Sequence, residues 1–303
     1  MTLPPHREPD VLPGASATEG SLQTLLRGLA VLDLIARGSG RTTAKDIASR
    51  LHMRTGTVYH LLRTLRDADY IRRIPGGSFD IGPQGARLGR HLEERTAPSP
   101  EISSILSRLH HQTRENAYVN GWYHGTMMML QAIEGTQTIA VRNLEVGLSG
   151  MFHARASCKA MLAFLPESQV KAMFADVELE ALTPHTITDL DELVQQLRQI
   201  AEQGYAMDYE EFAEGVVCVS APFFDGSNRP VGSFTVNVPV TRFAEQKQTL
   251  VAAVREASSI ATNLYRTGRL VLPAQSTPAT PRGKRRMSTT AERSPSTSQE
   301  VTG

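Results

Sequence analysis

Apolar residues recur at helical spacing in three short stretches near the start of the chain. Between Leu22 and Ile35, aliphatic residues lie three or four positions apart, and a Gly-Ser-Gly segment follows soon after. This spacing predicts a helix with one apolar face, and the glycines predict its end. Thr43 with Asp46 three residues later matches the start of a capping box, so we expect a second helix of about two turns to begin there.

A third helix and a hairpin follow. After a turn over 52–55, the next apolar stripe consists of Val58, Leu61, Leu62 and Leu65. Alternation over 70–74 and 78–81, separated by Pro-Gly-Gly, predicts two strands joined by a glycine turn. Gly-Pro at 82–83 begins another helix, which is expected to end before Pro98. Helix, short helix, turn, helix and two-stranded wing is the order of an all-α winged helix-turn-helix domain.

The pattern changes after Pro100, where strand-like and helical stretches mix with few βαβ alternations. This mixture favours an α+β domain with an antiparallel sheet. Helices are predicted near 101–114, 157–164, 167–174, 189–203 and 243–267, and strands near 117–123, 126–133, 137–142, 205–209, 216–223 and 230–238.

The predicted organisation of the 303 residues therefore has five parts. Both ends lack periodic apolar positions, and we expect them to be disordered because they cannot bury enough apolar surface to offset the entropy lost on ordering. The parts are an N-terminal arm (1–20), the winged helix-turn-helix domain (21–82), a linker helix (83–97), the α+β domain (98–270) and a basic tail (271–303).

Composition and charge narrow the class of protein. The chain is 40% hydrophobic and 21% charged, it has no apolar run long enough to span a bilayer, and its start lacks the apolar core of a signal peptide, so we expect a cytoplasmic protein. Residues 21–95 carry 13 Lys or Arg and 7 Asp or Glu, which gives 13 − 7 = +6, and the net charge of +1 leaves +1 − 6 = −5 for the rest. A basic segment joined to a mildly acidic one is typical of a nucleic-acid module with a separate partner domain.

The third predicted helix carries the residue types that DNA recognition needs. Its polar residues lie outside the apolar stripe, where they can face base edges and phosphates. Hydroxyl groups near its start suit a phosphate oxygen, basic side chains along it suit base contacts, and a glycine permits close approach of the backbone. The candidates are Arg54, His60 and Arg63 for bases, Thr55, Gly56, Thr57 and Tyr59 on the same surface, and Thr43, Lys45, Arg72 and Arg73 for phosphates.

Residues 21–95 resemble the DNA-binding half of the IclR family of bacterial transcriptional regulators. The likeness is carried by TAKDIA (43–48), TVYHLLRTL (57–65), Gly82-Pro83 and Leu88-Gly89. Two further segments, HARASCKAMLA (153–163) and GYAMDYEE (204–211) continuing to Ala221-Pro222, extend the resemblance over residues 22–267. The family usually has small residues at positions 155 and 158, and Ser at position 56. The resemblance implies a GAF-like sensor domain that binds a small effector, commonly an organic or aromatic acid.

The resemblance also implies the residues of the effector site. By matching position these are Ala156 and Ser157 at a helix start, Asp208, Val216 and Cys218 in the second segment, and Thr235 and Asn237 on the penultimate predicted strand. The residues themselves support a pocket, because helix-start N–H groups suit a carboxylate and positions two apart on a strand face the same side. Ile139 and Arg142 would line the opposite wall.

Several other features are predicted to be structural. Asp208, Glu210 and Glu211 are interpreted as a solvated loop and cap cluster, with an acid–base role as the alternative. The segment 127–130, Met-Met-Met-Leu, is interpreted as a core strand, and the single Trp122 as a packing residue.

These inferences predict an effector-controlled regulator without catalytic activity, metal or cofactor. The expected partners are double-stranded operator DNA, a small-molecule effector and a second copy of the chain, because one winged-helix head covers one half-site of a pseudo-palindrome. The resemblance implies further pairing of the sensor domains into a tetramer. A membrane partner is not expected.

Two other functions remain open at the level of sequence. The first is a thiol-based redox switch or thiol enzyme, because Cys158 at a helix start beside Lys159 could have a lowered pKa and could pair with Cys218. The second is a protein-interaction adaptor, which would lack salt-dependent affinity for DNA.

Overall fold

The computed structural model describes residues 22–135 and 147–270. The predicted N-terminal arm, the basic tail and the strand predicted near 137–142 lie outside the described residues. Within these ranges, no helix has both the length and the apolar character that crossing a bilayer requires.

The N-terminal part has the predicted order of helices and strands. Thr43 and Asp46 form the capping box: Asp46 N donates to Thr43 Oγ1 at 3.3 Å and Thr43 N donates to Asp46 Oδ2 at 2.9 Å. The elements are α1 (Gln23–Arg37), β1 (Thr42–Thr43), α2 (Ala44–Arg50), α3 (Thr55–Asp67), β2 (Ile71–Arg73), β3 (Ser78–Ile81) and α4 (Pro83–Thr96). The sequence prediction lacked β1, which pairs with β3 and extends the wing to three strands in the order β1-β3-β2.

One apolar cluster holds this part together. The inner faces of α1, α2 and α3 meet there, and Ile71 and Phe79 close it from the wing. Val31, Ile47 and Val58 have no exposed surface at all. The stripe predicted on α3 is confirmed, since Val58, Leu61 and Leu62 are its buried residues.

The C-terminal part is an α+β domain around one antiparallel sheet, as predicted. Its five strands lie in the order β5-β4-β8-β7-β6, with every neighbouring pair antiparallel. Its elements are α5 (Pro100–Thr113), β4 (Asn116–Tyr123), β5 (Thr126–Ile133), α6 (Ala156–Leu162), α7 (Glu167–Phe174), α8 (Leu190–Gln203), β6 (Ala206–Tyr209), β7 (Val216–Phe224), β8 (Pro230–Pro239) and α9 (Val240–Arg266).

The two faces of this sheet differ in polarity. One face is apolar and packs on α5 and α9 through residues such as Val119, Val219 and Val236, all without exposed surface. The opposite face carries the alternate residues of the same strands, since successive side chains on a strand point to opposite sides. Every residue of β8 is buried, so the second face is also covered, and α6 packs against it.

Two packing predictions are confirmed at the edge of this sheet. Met127, Met128 and Met129 are buried on β5. Trp122 is also buried, and its ring N–H donates to the carbonyl oxygen of Pro230 at 2.9 Å.

The close approach of β4, β7 and β8 predicts a stability effect at Gly232. A Cβ there would lie 2.6 Å from the backbone oxygen of Asn120 and would overlap the Phe223 ring. Gly232→Ala should therefore lower the free energy of unfolding by about 1–3 kcal/mol, measured by urea denaturation. Gly226→Ala is the matched control, because a Cβ at Gly226 meets no atom within 4 Å. Equal stability of the two variants would contradict this account of the packing.

Candidate nucleic-acid interface and ligand site

The helix α3 presents a polar surface to solvent. It begins after Arg54, and Val58, Leu61 and Leu62 form its buried apolar face. The predicted DNA-contact residues of α3 lie outside that apolar face. Tyr59 is 59% exposed. Arg54, Thr55, Gly56, His60 and Arg63 are also exposed, and Thr57 is half-buried. A Cβ at Gly56 would meet no atom within 4 Å, so nothing in the described part of the chain requires glycine there.

The intramolecular contacts of the other candidates differ. Arg63 Nε lies 3.6 Å from Asp67 Oδ2 and Arg72 Nη2 lies 3.7 Å from Asp80 Oδ2, both in exposed positions where such pairs are weak. Lys45 and Arg73 are exposed. The hydroxyl of Thr43 is already engaged in the capping box, because it also donates to Asp46 Oδ2 at 2.6 Å. A phosphate contact by Thr43 would therefore compete with the cap of α2.

The predicted effector residues come together on the face of the five-stranded sheet opposite α5 and α9. This face, which α6 covers, is called the polar face below. Asp208, Cys218 and Asn237 are successive register partners across β6, β7 and β8. Residues directly opposite each other on antiparallel strands share a face, so these three side chains lie in one row. Thr235 occupies the next row beside Tyr118, and Val216 lies two residues from Cys218 on the same face.

The start of α6 lies against the same face. Ser233 Oγ on β8 donates to the carbonyl oxygen of Ser157 at 2.9 Å, and Ala156 and Ser157 have no exposed surface. The structure therefore brings together all the predicted effector residues that it describes. Ile139 and Arg142 lie outside the described residues.

Arg155 is part of this region, although the sequence analysis did not assign it a role. Only 4% of it is exposed, and its Nη1 donates to the carbonyl oxygens of Leu148 and Gly150 at 3.4 and 3.5 Å. Its guanidinium lies 5.9 Å from the centre of the Phe212 ring. A charged residue within a segment of small residues, HARASCKAMLA, was the available signal.

Several polar atoms on this face have no hydrogen-bond partner in the described ranges. They are Arg155 Nη2, Asn120 Nδ2 and Oδ1, and Asn237 Oδ1, and in the adjoining ion pair Glu211 Oε2 is also unpaired. Asn120 has no exposed surface and Asn237 is 5% exposed. Buried polar groups are almost always paired, because an unpaired one costs about 1–3 kcal/mol.

The interpretation of Asp208 and Glu211 as a solvated cluster is wrong. Their exposed fractions are 1% and 5%, and Glu211 forms an ion pair with Lys159, which has no exposed surface. The capping part of the interpretation is confirmed, because Asp208 Oδ1 accepts the N–H groups of Glu211 at 2.7 Å and Phe212 at 3.2 Å. Glu211 is the partner of Lys159 where water is excluded, and Asp208 is held inward by the backbone N–H groups that it accepts.

Burial also changes the acidity of Asp208. Loss of solvation raises its pKa to about 7; the Lys159 charge opposes this rise and the Glu211 charge adds to it. A carboxyl with this pKa is only partly ionised near neutral pH.

The expectation of a lowered pKa for Cys158 is wrong. Burial raises the pKa of this thiol, and the nearby charges of Arg155 and Lys159 offset the rise only in part. Burial also raises the pKa of Cys218. Both cysteines are buried free thiols, so the disulfide of the alternative function is not formed in the structure, and neither thiol has the exposure or low pKa of a reactive cysteine.

The fold and these two surfaces define a transcriptional regulator with a helix-turn-helix head and a separate α+β domain. Residues 100–262 match the family described as "Bacterial transcriptional regulator IclR C-terminal", and residues 24–75 match the "IclR helix-turn-helix domain". The chain belongs to the IclR family of transcriptional regulators.

Characterised relatives and solved structures agree with this assignment. The HTH-type transcriptional regulator BhcR of Paracoccus denitrificans is 31% identical over 245 residues, which cover 79% of this chain and 87% of BhcR. The transcriptional repressor IclR of Escherichia coli is 27% identical over 238 residues, or 78% of this chain and 86% of that protein. The crystal structure of Thermotoga maritima IclR matches 80% of this chain and 98% of its own, with a TM-score of 0.62 and 25% identity.

One structure with the same fold contains a ligand. It is an IclR homologue from Microbacterium hydrocarbonoxydans in complex with 4-hydroxybenzoate, with a TM-score of 0.59 and 19% identity, covering 80% of this chain and 99% of its own. At this identity the likeness shows the fold alone.

The raised pKa of Asp208 predicts a pH dependence of stability. The folded carboxyl, with a pKa of about 7, holds its proton at pH values where the unfolded carboxyl has lost it. The Asp208 carboxyl therefore adds at most roughly 4 kcal/mol to the free energy of unfolding. This contribution is fully present below about pH 4 and is lost as the pH rises through about 7. Asp208→Asn keeps the Oδ1 acceptor and removes the titration. The stability of the wild type should fall relative to this variant between about pH 5 and 8, measured by denaturation. A constant difference across that range would contradict the assignment.

Proposed function

We propose that the chain is a sequence-specific DNA-binding regulator whose affinity for its operator is controlled by a small molecule. In this proposal residues 21–82 read the DNA, 83–97 connect, and 98–270 bind the effector on the polar face of the sheet. The observation that carries the proposal is the set of buried, unpaired polar atoms on that face in a chain whose other part is a helix-turn-helix.

The proposed DNA contacts follow from position on α3 and the wing. Arg54, His60 and Arg63 contact bases, because their exposed side chains are long enough to reach a groove and can form hydrogen bonds to base edges. Phosphate contacts and close backbone approach are assigned to Thr43, Lys45, Thr55, Gly56, Thr57, Tyr59, Arg72 and Arg73. The charge of +6 over residues 21–95 supports this assignment, because phosphate neutralisation supplies most of the non-specific affinity for DNA.

The proposed effector site has an apolar wall and a polar floor. Ala156, Val216 and Cys218 belong to one apolar cluster with residues of α7 and α8, and they supply the wall. The polar contacts come from Ser157, Asp208, Thr235 and Asn237, all of them buried. Ile139 and Arg142 stay predictions of the sequence. A few convergent polar groups in an apolar setting are typical of a small-molecule site.

Two helices carry exposed leucines that we assign to a homodimer. Leu25 and Leu29 on α1 are 59% and 46% exposed, and Leu88 and Leu92 on α4 are 60% and 38% exposed. Thr96 is the only buried residue of α4, so this helix has almost no packing of its own within the described chain. A second copy would cover these apolar residues and place two α3 helices on two half-sites. Pairing of the sensor domains into a tetramer stays a prediction.

A base-contact role for Arg63 has a measurable consequence. We expect Arg63→Ala to weaken binding to the operator by about 1–3 kcal/mol and binding to an unrelated duplex by much less. Fluorescence anisotropy with duplexes from the region upstream of the gene, at several salt concentrations, measures both affinities. Arg198→Ala, which removes an exposed arginine of α8, is the control and should change neither. Equal losses for both duplexes would contradict base recognition by Arg63.

The dimer assignment is tested by one charged substitution. Leu88→Glu should lower the mass in analytical ultracentrifugation and weaken operator binding by roughly a hundredfold, because two linked heads bind far more tightly than one. Leu88 is largely exposed, so the fold should persist. The control is Val177→Glu, a change at a residue 54% exposed in the other domain. An unchanged mass and affinity for Leu88→Glu would exclude this surface from the dimer.

A further inference from the structure

The polar face is closed to solvent in the structure. The predicted effector residues within the described ranges are all buried, from Ala156 and Ser157 with no exposed surface to Cys218 with 7%. A small molecule therefore reaches this face only after one of the segments that cover it has moved. The segment that moves must be one whose departure leaves the sheet and its core intact.

The helix α6 does not meet this condition. All seven of its residues are buried, and it packs against both β7 and β8. Ser233 on β8 also holds it, through a hydrogen bond of 2.9 Å to the carbonyl oxygen of Ser157. Displacement of α6 would expose the apolar cluster to which Cys158, Met161 and Leu162 belong, so it would unfold this side of the domain.

The segment that joins α7 to α8, residues 175–189, is held differently and is called the strap below. It contains no helix or strand, and Leu179 and Thr183 are its only buried residues. Among the described residues, no hydrogen bond between backbone groups joins the strap to α6 or to β6. Local opening occurs where little buried apolar surface and few backbone hydrogen bonds hold a segment, so the strap is the part of this cover that opens most readily.

Side-chain hydrogen bonds tie the strap to both sides of the polar face. On the side of α6, His153 Nε2 donates to the carbonyl oxygen of Glu180 at 3.0 Å. On the side of β6, the hydroxyl groups of Thr183 and Thr186 donate to the carbonyl oxygens of residues 210–211, both at 2.6 Å. The strap therefore spans the gap between the start of α6 and the end of β6.

The hydroxyl group of Thr186 has two roles in this arrangement. It accepts the backbone N–H groups of Leu182 at 3.1 Å and Thr183 at 2.9 Å, which shapes the strap itself. It also donates to the backbone of Glu211, whose side chain pairs with Lys159 of α6. One hydroxyl group thus joins the strap to the segment that carries the buried ion pair.

We propose that the strap is a gate over the polar face, held shut by the hydroxyl groups of Thr183 and Thr186, and that it opens without unfolding of the domain to let a small molecule pass. This inference rests on the proposed function and deepens it, since it names the segment that admits the effector. Leu179 of the strap belongs to the apolar cluster that also contains Cys158 and Cys218. Opening of the strap therefore uncovers both thiols.

These thiols report on opening without any knowledge of the effector. Dithiodipyridine is an uncharged disulfide that releases a coloured thiopyridone when a thiolate attacks it, so its rate of reaction with the full chain measures how often the cysteines are accessible. Thr183→Val combined with Thr186→Val removes both hydroxyl groups and keeps the approximate shape of the side chains. We expect labelling to become roughly ten- to a hundredfold faster, because each lost hydrogen bond contributes about a factor of three to ten.

Two further variants control for the substitutions themselves. Thr188→Val is the matched control, because Thr188 lies on the same strap, is exposed and forms no hydrogen bond within the described ranges. It should label at the wild-type rate. Thr186→Ser keeps the hydroxyl group, so its labelling rate should stay within about threefold of the wild type.

The urea dependence of labelling separates opening of the strap from unfolding of the whole domain. Urea accelerates a reaction that requires exposure of surface, with a slope proportional to the area exposed. Release of the strap exposes far less surface than global unfolding. At low urea concentrations the slope for the wild type should therefore be less than about half of the m-value measured by equilibrium denaturation.

Two results would overturn the gate. The first is an unchanged labelling rate when both threonines are replaced, and the second is a urea slope equal to the global m-value. Neither measurement involves DNA or an effector, so failure of the gate is distinguishable from failure of the proposed regulator function. The latter would appear as a lack of operator binding by the wild type, with the labelling rates still in the expected order.

Discussion

The C-terminal domain depends on one constraint: both faces of its sheet are buried, and successive side chains along each strand point to opposite faces. On β4, β7 and β8, one set of alternate residues packs on α5 and α9, so the other set must face the opposite side. That other set contains serine, threonine, asparagine and cysteine, together with Tyr118, Trp122 and Val216. Because α6 and its neighbours cover this side, each of those polar groups needs a partner in place of water.

Most of these polar groups find partners within the chain. Ser220 Oγ and Thr235 Oγ1 are 2.8 Å apart, Ser233 bonds to the backbone of α6, and Lys159 pairs with Glu211. Among the described residues, unpaired atoms remain on Arg155, Asn120, Asn237 and Glu211. A core that needed only to be stable would place apolar residues at these positions, since replacing buried polar groups by well-packed apolar ones is often neutral or stabilising. In the proposed function, the polar face serves binding at some cost to stability.

The strongest local signals in the sequence predicted the elements correctly. The capping box at Thr43 and Asp46, the stripe on α3 and the alternation in the long strands are determined by neighbours a few residues apart, so they are visible without the fold. The strand β1 was missed because its two residues form a strand only by pairing with β3, more than thirty residues later in the chain.

The errors at the site have a different cause. The ion pair of Lys159 with Glu211 joins residues 52 positions apart, and nothing near either residue in the sequence indicates it. Burial in the same region raises the pKa values of Asp208 and Cys158. From the sequence, Asp208 was interpreted as a solvated acid, and an activated Cys158 thiol was an open alternative. Arg155 was visible as an unusual residue, but its unpaired donors became apparent only from the three-dimensional arrangement.

The central claim is that occupancy of the polar face changes how the α3 helices engage DNA. It is tested most directly by measuring the coupling between the two sites in both directions. For a small molecule that raises the Tm, the account predicts that the Kd for the operator changes with the molecule present, and that the Kd for the molecule changes by the same factor with the operator present, since such coupling is reciprocal. Independent binding, with neither constant altered by the other ligand, would contradict it.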